Sequence, residues 1–248
     1  MKEFIYDNSF EGLLTAVFYS YSEKSQCCIT KEKNFTPSLL NEVVSLKTET
    51  DKFKRVYKSI YEKLNNHVLR NIYLLFLCDD VLESDTLVLN YLKLCYRYGT
   101  SINLAKNNDI IILVDRYCRK VSREAHLLTG FVRFKEVAPL TFYSPIEPDY
   151  NVLPLLINHF TKRFSDQNFI IHDLKRDSAL VYNKDKAIIT NFTKNEAEKF
   201  INSTSDKEFE NLWSIFYKAT DIEERKNLRL QRQMMPKRYW KHIFETRS

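Results

Sequence analysis

The feature that most constrains the fold of this chain is a change in hydrophobic period near Thr129. Before it, apolar residues recur every three or four positions. Phe10, Leu13, Leu14, Val17, Phe18 and Tyr21 form one such stripe, and Phe53, Val56, Tyr57, Ile60 and Leu64 form another. That spacing keeps one face of a helix apolar. It predicts helices over 51–64, 67–78, 84–98 (closed by Gly99) and 108–126, after a first helix that Asn8 caps with Glu11 three residues on. Short strands are expected at 3–6, 26–30 and 43–47. Beyond Thr129 the pattern alternates, as strands do. Runs over 129–137 and 140–146 read as a hairpin through Ala138-Pro139. A helix over 151–164 follows, then strands over 169–173, 179–182 and 187–191. Their turns hold Lys175-Arg176-Asp177 and Asn183-Lys184-Asp185.

These readings predict an α+β fold, a helical N-terminal half followed by an antiparallel sheet with a packed helix and a C-terminal helical basic tail. The regions are 1–126, mainly helical; 127–204, the sheet with one helix; and 205–248, a helix opened by Ser205-Asp206-Lys207-Glu208 and then the tail. Only three Gly and six Pro occur in 248 residues, and no Pro/Gly/Ser-rich linker separates the regions, so all can pack as one compact domain. An apolar share of 44% supplies a sizeable core.

Five cysteines, an odd number with no CxxC spacing, read as reduced thiols, and nothing at the N-terminus resembles a targeting segment. A cytoplasmic location is therefore expected. Cys78 and Cys95 sit in apolar helical runs and are expected in the core. The adjacent Cys27 and Cys28 point to opposite faces of a strand, which disfavours a shared metal. The longest apolar run, 72–78, is too short to span a bilayer, so no membrane partner is expected. Walker A, GxGxxG, HExxH, C2H2, CxxxCxxC and deaminase patterns are all missing, so no cofactor and no metal are expected.

Charge is uneven. The net charge is +6, and the segment 225–242 alone carries seven Lys or Arg and no Asp or Glu. Within it, Arg229, Arg232, Lys237, Arg238 and Lys241 are interleaved with Tyr239 and Trp240. Cations neutralise phosphates, and aromatic faces stack on unpaired bases. The alternative is a helix that docks Met234, Tyr239 and Trp240 into the core and leaves its cations in water. A second basic set, Arg116, Arg119, Lys120 and Arg123, shares one helix face and can track phosphates, or simply solvate that face through Asp115–Arg119 and Lys120–Glu124 pairs. Arg133, Lys175 and Arg176 are further candidate phosphate partners.

Two His–carboxylate pairs invite acid–base chemistry. Glu124 and His126 lie two residues apart and meet only if their helix ends near Ala125. His172 and Asp173 are neighbours in a strand and point to opposite faces. With Lys175 and Arg176 next, the second pair also suits phosphate or base recognition, or an ordinary polar turn.

Several runs carry a likeness to a known family. They are 6–18 (YDNSFEGLLTAVF), 130–134 (GFVRF), 146–149 (IEPD), 152–156 (VLPLL), 170–173 (IIHD) and 231–241 (QRQMMPKRYWK). Together they resemble a bacterial family of DNA-repair or DNA-metabolism proteins built around a domain of unknown function. The resemblance implies a setting. Members are encoded beside a radical-SAM protein of DNA modification or repair, and related domains are fused to uracil-DNA-glycosylase-like domains. This chain has no GQDPYH or HPSP motif, so it resembles the companion domain. The expected role is a DNA-binding accessory factor for a radical-SAM or glycosylase-type repair enzyme, with DNA and the radical-SAM protein as partners. The alternatives are a nucleic-acid-processing enzyme, using His126 or His172 with Glu124, Glu147 or Asp173, and a scaffold that binds only protein.

Overall fold

The computed structural model describes residues 1–23, 25–38, 41–79, 81, 83–201 and 228–243. The helix expected from Ser205 lies outside the described residues. The chain divides into two compact units, Met1–Ser122 and Arg123–Ser248.

The first unit is built on a three-stranded parallel sheet in the order β2-β1-β3, with β1 at Lys2–Tyr6, β2 at Cys27–Lys31 and β3 at Glu42–Ser45. The helix α1 (Phe10–Tyr21) carries the chain from β1 back to the start of β2, which is why these neighbours run parallel. Its cap is Ser9, whose Oγ accepts from Gly12 N at 2.9 Å. Asn8, expected as the cap, instead takes φ 65° and accepts the amide of Lys33 at 3.0 Å. A tertiary bond thus decides between two adjacent capable residues. The helices α2 (Thr50–Lys63), α3 (Asn66–Phe76) and α4 (Ser84–Tyr98) follow, and Gly99 ends α4 with φ 74°. Leu13, Leu14, Ile60, Ile72, Leu75, Val88 and Leu92 are buried where the helix stripes meet.

α5 runs from Asp109 to Phe131, beyond the expected end at His126. The β-rich run after Thr129 therefore starts as helix. Val132 N still bonds Leu128 O at 3.1 Å, and Leu128 is buried. Packing of the helix stripe overrides the local strand preference.

The second unit holds a five-stranded sheet in the order β4-β5-β6-β7-β8: Lys135–Ala138, Thr141–Ile146, Asn168–Asp173, Ser178–Asn183 and Ala187–Asn191. The α+β class stands. The sheet is antiparallel except between β5 and β6, which run parallel. The reason lies in the connection: α6 (Leu153–Arg163) crosses from the end of β5 to the start of β6, and such a crossover restores direction. Phe160 and Phe164 on and after α6 meet Phe134, Phe169 and Tyr182 on one face. On the other face Val137, Tyr143 and Ile170 pack with Phe192 and with Ala197 of α7 (Lys194–Ile201). A short helix, Leu228–Met234, and a 3-10 turn, Lys237–His242, complete the described chain.

Candidate nucleic-acid interface

Arg116, Arg119, Lys120 and Arg123 are all exposed on α5. The acids expected to neutralise them are engaged elsewhere. The Asp115 carboxylate pairs with Lys106, and Arg119 donates to the Asp115 carbonyl, Nε to O 3.2 Å, not to its carboxylate. Glu124 is buried and turned away from Lys120. Arg123 donates across 3.5 Å to the carbonyl of Gln233.

Glu124 is the centre of a polar hub in the second unit, and it is 2% exposed. Its carboxylate accepts the amides of Asp149 (3.0 Å) and Tyr150 (2.8 Å), the Arg238 guanidinium (2.8 Å) and the Tyr239 hydroxyl (2.8 Å). Arg238 also pairs with Asp149 at 2.7 Å. Lys241 and His242 both face Glu147. From the sheet side, Arg176 donates to the carbonyls of Pro148 (3.1 Å) and Asp149 (2.8 Å) and pairs with Asp173 at 2.9 Å. Everything closes on one loop, Glu147 to Tyr150. These bonds satisfy two backbone amides and two backbone carbonyls of that loop. The hub draws on three of the runs that carry the family likeness.

This arrangement sorts the expected tail contacts. Tyr239 is 2% exposed, hydrogen-bonded at its tip and packed against Phe131. It is a core ring, not a surface stacking group. Arg238 and Lys241 hold carboxylates. Trp240 is half-buried and donates its indole N–H to Met235 O at 2.9 Å. Arg229, Arg232 and Lys237 are exposed, and Met234, expected in the docked alternative, is exposed as well. Arg133 caps the end of α5, donating to Gly130 O at 2.7 Å. Lys175 is an exposed turn residue whose amide bonds Asp173 at 3.0 Å.

Neither His–carboxylate pair converges. α5 continues past Ala125, which leaves His126 exposed and Glu124 buried. His172 is closed to solvent, its Nδ1 2.9 Å from the Tyr143 hydroxyl and its ring against Phe192. Burial holds its pKa below the ordinary value and pushes the Tyr143 phenol up to about 12. Asp173 points to the opposite face, where burial raises its pKa and Arg176 only partly offsets this.

One buried cluster of the first unit was not foreseen from sequence. Lys31 is 2% exposed, donates to Phe76 O at 2.7 Å and stands 3.8 Å from Asp85, itself 2% exposed. Burial lowers the Lys31 pKa and raises those of Asp85 and neighbouring Tyr6. A sequence signal existed: Cys27, Ile29 and Lys31 alternate on the buried side of β2, so the lysine occupies an inward position. Closed to solvent on all three side chains, the cluster can brace strand ends but cannot meet a substrate.

Among the described residues, no group of three or more His, Cys, Asp or Glu is placed to hold a metal, and no helix is long and apolar enough to cross a membrane. The family model described as DUF4130, a domain of unknown function, matches residues 83–245. No curated protein matches the chain.

Proposed function

The chain belongs to the DUF4130 family, and from that premise we propose that it is a nucleic-acid-binding accessory protein of DNA repair, acting beside a radical-SAM or glycosylase-type enzyme. The observation that carries the binding role is the exposed set Arg116, Arg119, Lys120 and Arg123 on one face of α5, with the nearest acids committed elsewhere. From the first to the last of these the helix rises about 10 Å, at 1.5 Å per residue. Duplex DNA carries one charge per about 1.7 Å of axis, so several phosphates fall within that reach. The exposed Arg229, Arg232 and Lys237 are the tail's remaining contribution. Arg238, Tyr239 and Lys241 are better understood as holding the hub together. The partner enzyme is proposed from the gene setting that the family resemblance implies.

Fluorescence anisotropy of labelled single- and double-stranded oligonucleotides across a salt series tests the reading. Replacing all four α5 cations by Gln is expected to flatten the salt slope for duplex DNA by about 3 to 4 units. A native protein without salt-dependent binding, or a slope unmoved by the four replacements, refutes the role of α5. Co-purification with a radical-SAM protein of DNA repair tests the partner; a mixture that gives no complex, with or without DNA, removes it.

A further inference from the structure

The first unit contains a cleft of about 430 Å³ between α1, α2 and α4 that none of the chemistry above uses. Its size lies within the roughly 300–1,000 Å³ of small-molecule sites. Val17, Val56 and Leu92 supply apolar lining, and the rings of Phe18, Tyr21 and Tyr96 supply the aromatic part. Tyr21 and Tyr96 meet edge to face, centroids 5.7 Å apart at 82°. The Tyr96 hydroxyl and Ser59 Oγ, 2.8 Å apart, form a polar pair within the lining. Two cations, Arg55 and Lys63, complete it, and among the described residues no carboxylate does. The Arg55 guanidinium is 5.4 Å from the Phe18 ring centre, and Lys52 is 5.1 Å from it. The nearby acids are spoken for. Glu49 takes the Tyr19 hydroxyl at 2.6 Å, Asp51 pairs with Lys52, and Glu62 pairs with Lys58.

A flat, partly polar aromatic group suits these walls, and a negative charge suits their cations. We infer that the cleft binds a nucleotide, with the base against Tyr21 and Tyr96, the Ser59–Tyr96 pair at a base edge and the phosphate on Arg55 and Lys63. Its lining shares no residue with the α5 cations proposed to hold the backbone. A free mononucleotide and an unpaired nucleotide of a strand share this chemistry, and the test separates them.

Isothermal titration of the full chain with dTMP and with a short single-stranded oligothymidylate is the experiment. It is run on the native protein, on Arg55→Ala/Lys63→Ala, on Tyr21→Ala and on the four-Gln α5 variant. All the cleft replacements sit at exposed positions, and thermal unfolding checks that each variant is folded. Saturable binding is expected, weakened at least fivefold by Tyr21→Ala, as loss of one stacked base implies, and at least tenfold by the double variant. If dTMP binds, free nucleotide suffices. If only the oligonucleotide binds, the site takes a base within a strand. Binding lost in the α5 variant yet unchanged in both cleft variants overturns this inference and leaves the α5 reading standing. No saturable binding of either ligand by the native protein overturns it as well.

Discussion

Replacing Glu124 by Gln changes one atom of the hub and nothing of its size. Oε1 accepts from Asp149 N, Arg238 and Tyr239, while Oε2 accepts from Tyr150 N. A Gln whose oxygen takes the Oε1 place keeps three of these bonds and turns an NH2 group toward the Tyr150 amide. Two donors then face each other in a buried site, at a cost of about 1–3 kcal/mol. The remaining bonds also lose their charge assistance, which roughly halves their strength. A total near 3 kcal/mol is expected. Arg238→Ala should cost less, about 1 kcal/mol, because its side chain is 39% exposed and water replaces part of what is lost. Tyr239→Phe should fall near the same value by removing one hydroxyl bond. Urea unfolding followed by circular dichroism gives the global cost. Hydrogen exchange at the Asp149 and Tyr150 amides gives the local one, and about tenfold or more faster exchange is expected for Glu124→Gln. If Glu124→Gln stays within about 0.5 kcal/mol of the native protein, or costs less than Arg238→Ala, the account of Glu124 as the acceptor that holds this loop is wrong.

Other perturbations have equally definite outcomes. Gly12→Ala would place a Cβ 2.2 Å from Asp7 Oδ1, so the carboxylate that binds Ser9 and Thr48 must leave its place; a loss of about 1–2 kcal/mol is expected in thermal unfolding, as for a damaged helix cap, and an unchanged midpoint speaks against the arrangement. His172 is buried with a pKa below its ordinary 6.5, so the unfolded chain binds the proton first. Its contribution to stability is therefore full above about pH 6.5 and declines as pH falls from there toward the folded-state value. His172→Gln should lose that part of the slope of unfolding free energy against pH, and an identical slope in both proteins contradicts the assignment. Burial pushes the thiols of Cys78 and Cys118 up to about 12 and that of Cys95 up to about 11. Iodoacetamide at neutral pH should leave these three unmodified until urea is added, and mass spectrometry that finds them alkylated in the native protein refutes their burial.

Legibility in the sequence depended on how local the deciding interaction was. α4 was readable to the residue because its apolar spacing and the closing Gly99 are local facts, and β8 was readable as the alternating run after the polar turn Asn183-Lys184-Asp185. The start of α1 was read one residue early because Asn8 and Ser9 cap about equally well, and the Lys33 amide that claims Asn8 lies 25 positions away. The end of α5 was read five residues short for a similar reason: the run after Thr129 has strand composition, and only the burial of Leu128 keeps it helical. The direction of β6 was recoverable from the strand-helix-strand order, yet the surrounding hairpins suggested antiparallel pairing throughout. Glu124 attracted attention through His126, but its actual partners come from the loop after β5 and from the tail, and no spacing rule connects those. The division of the tail into buried Tyr239, ion-paired Arg238 and exposed Lys237 depends on which face meets Phe131 and Glu124, a matter of packing that composition does not contain.

The hub also has a place in time. Arg238 and Tyr239 reach Glu124 across 114 and 115 positions of chain. Such distant closures come late, because ordering the intervening chain precedes any gain from the contact. During synthesis, the helix that carries Glu124 and the loop after β5 leave the ribosome well before their last two partners are made. A ribosome that stops short of Arg238 releases a chain in which Glu124 has its two amide partners but neither the guanidinium nor the hydroxyl that completes its burial. A chain cut before Arg238 therefore ties the 147–150 loop to Glu124 through two amide bonds alone.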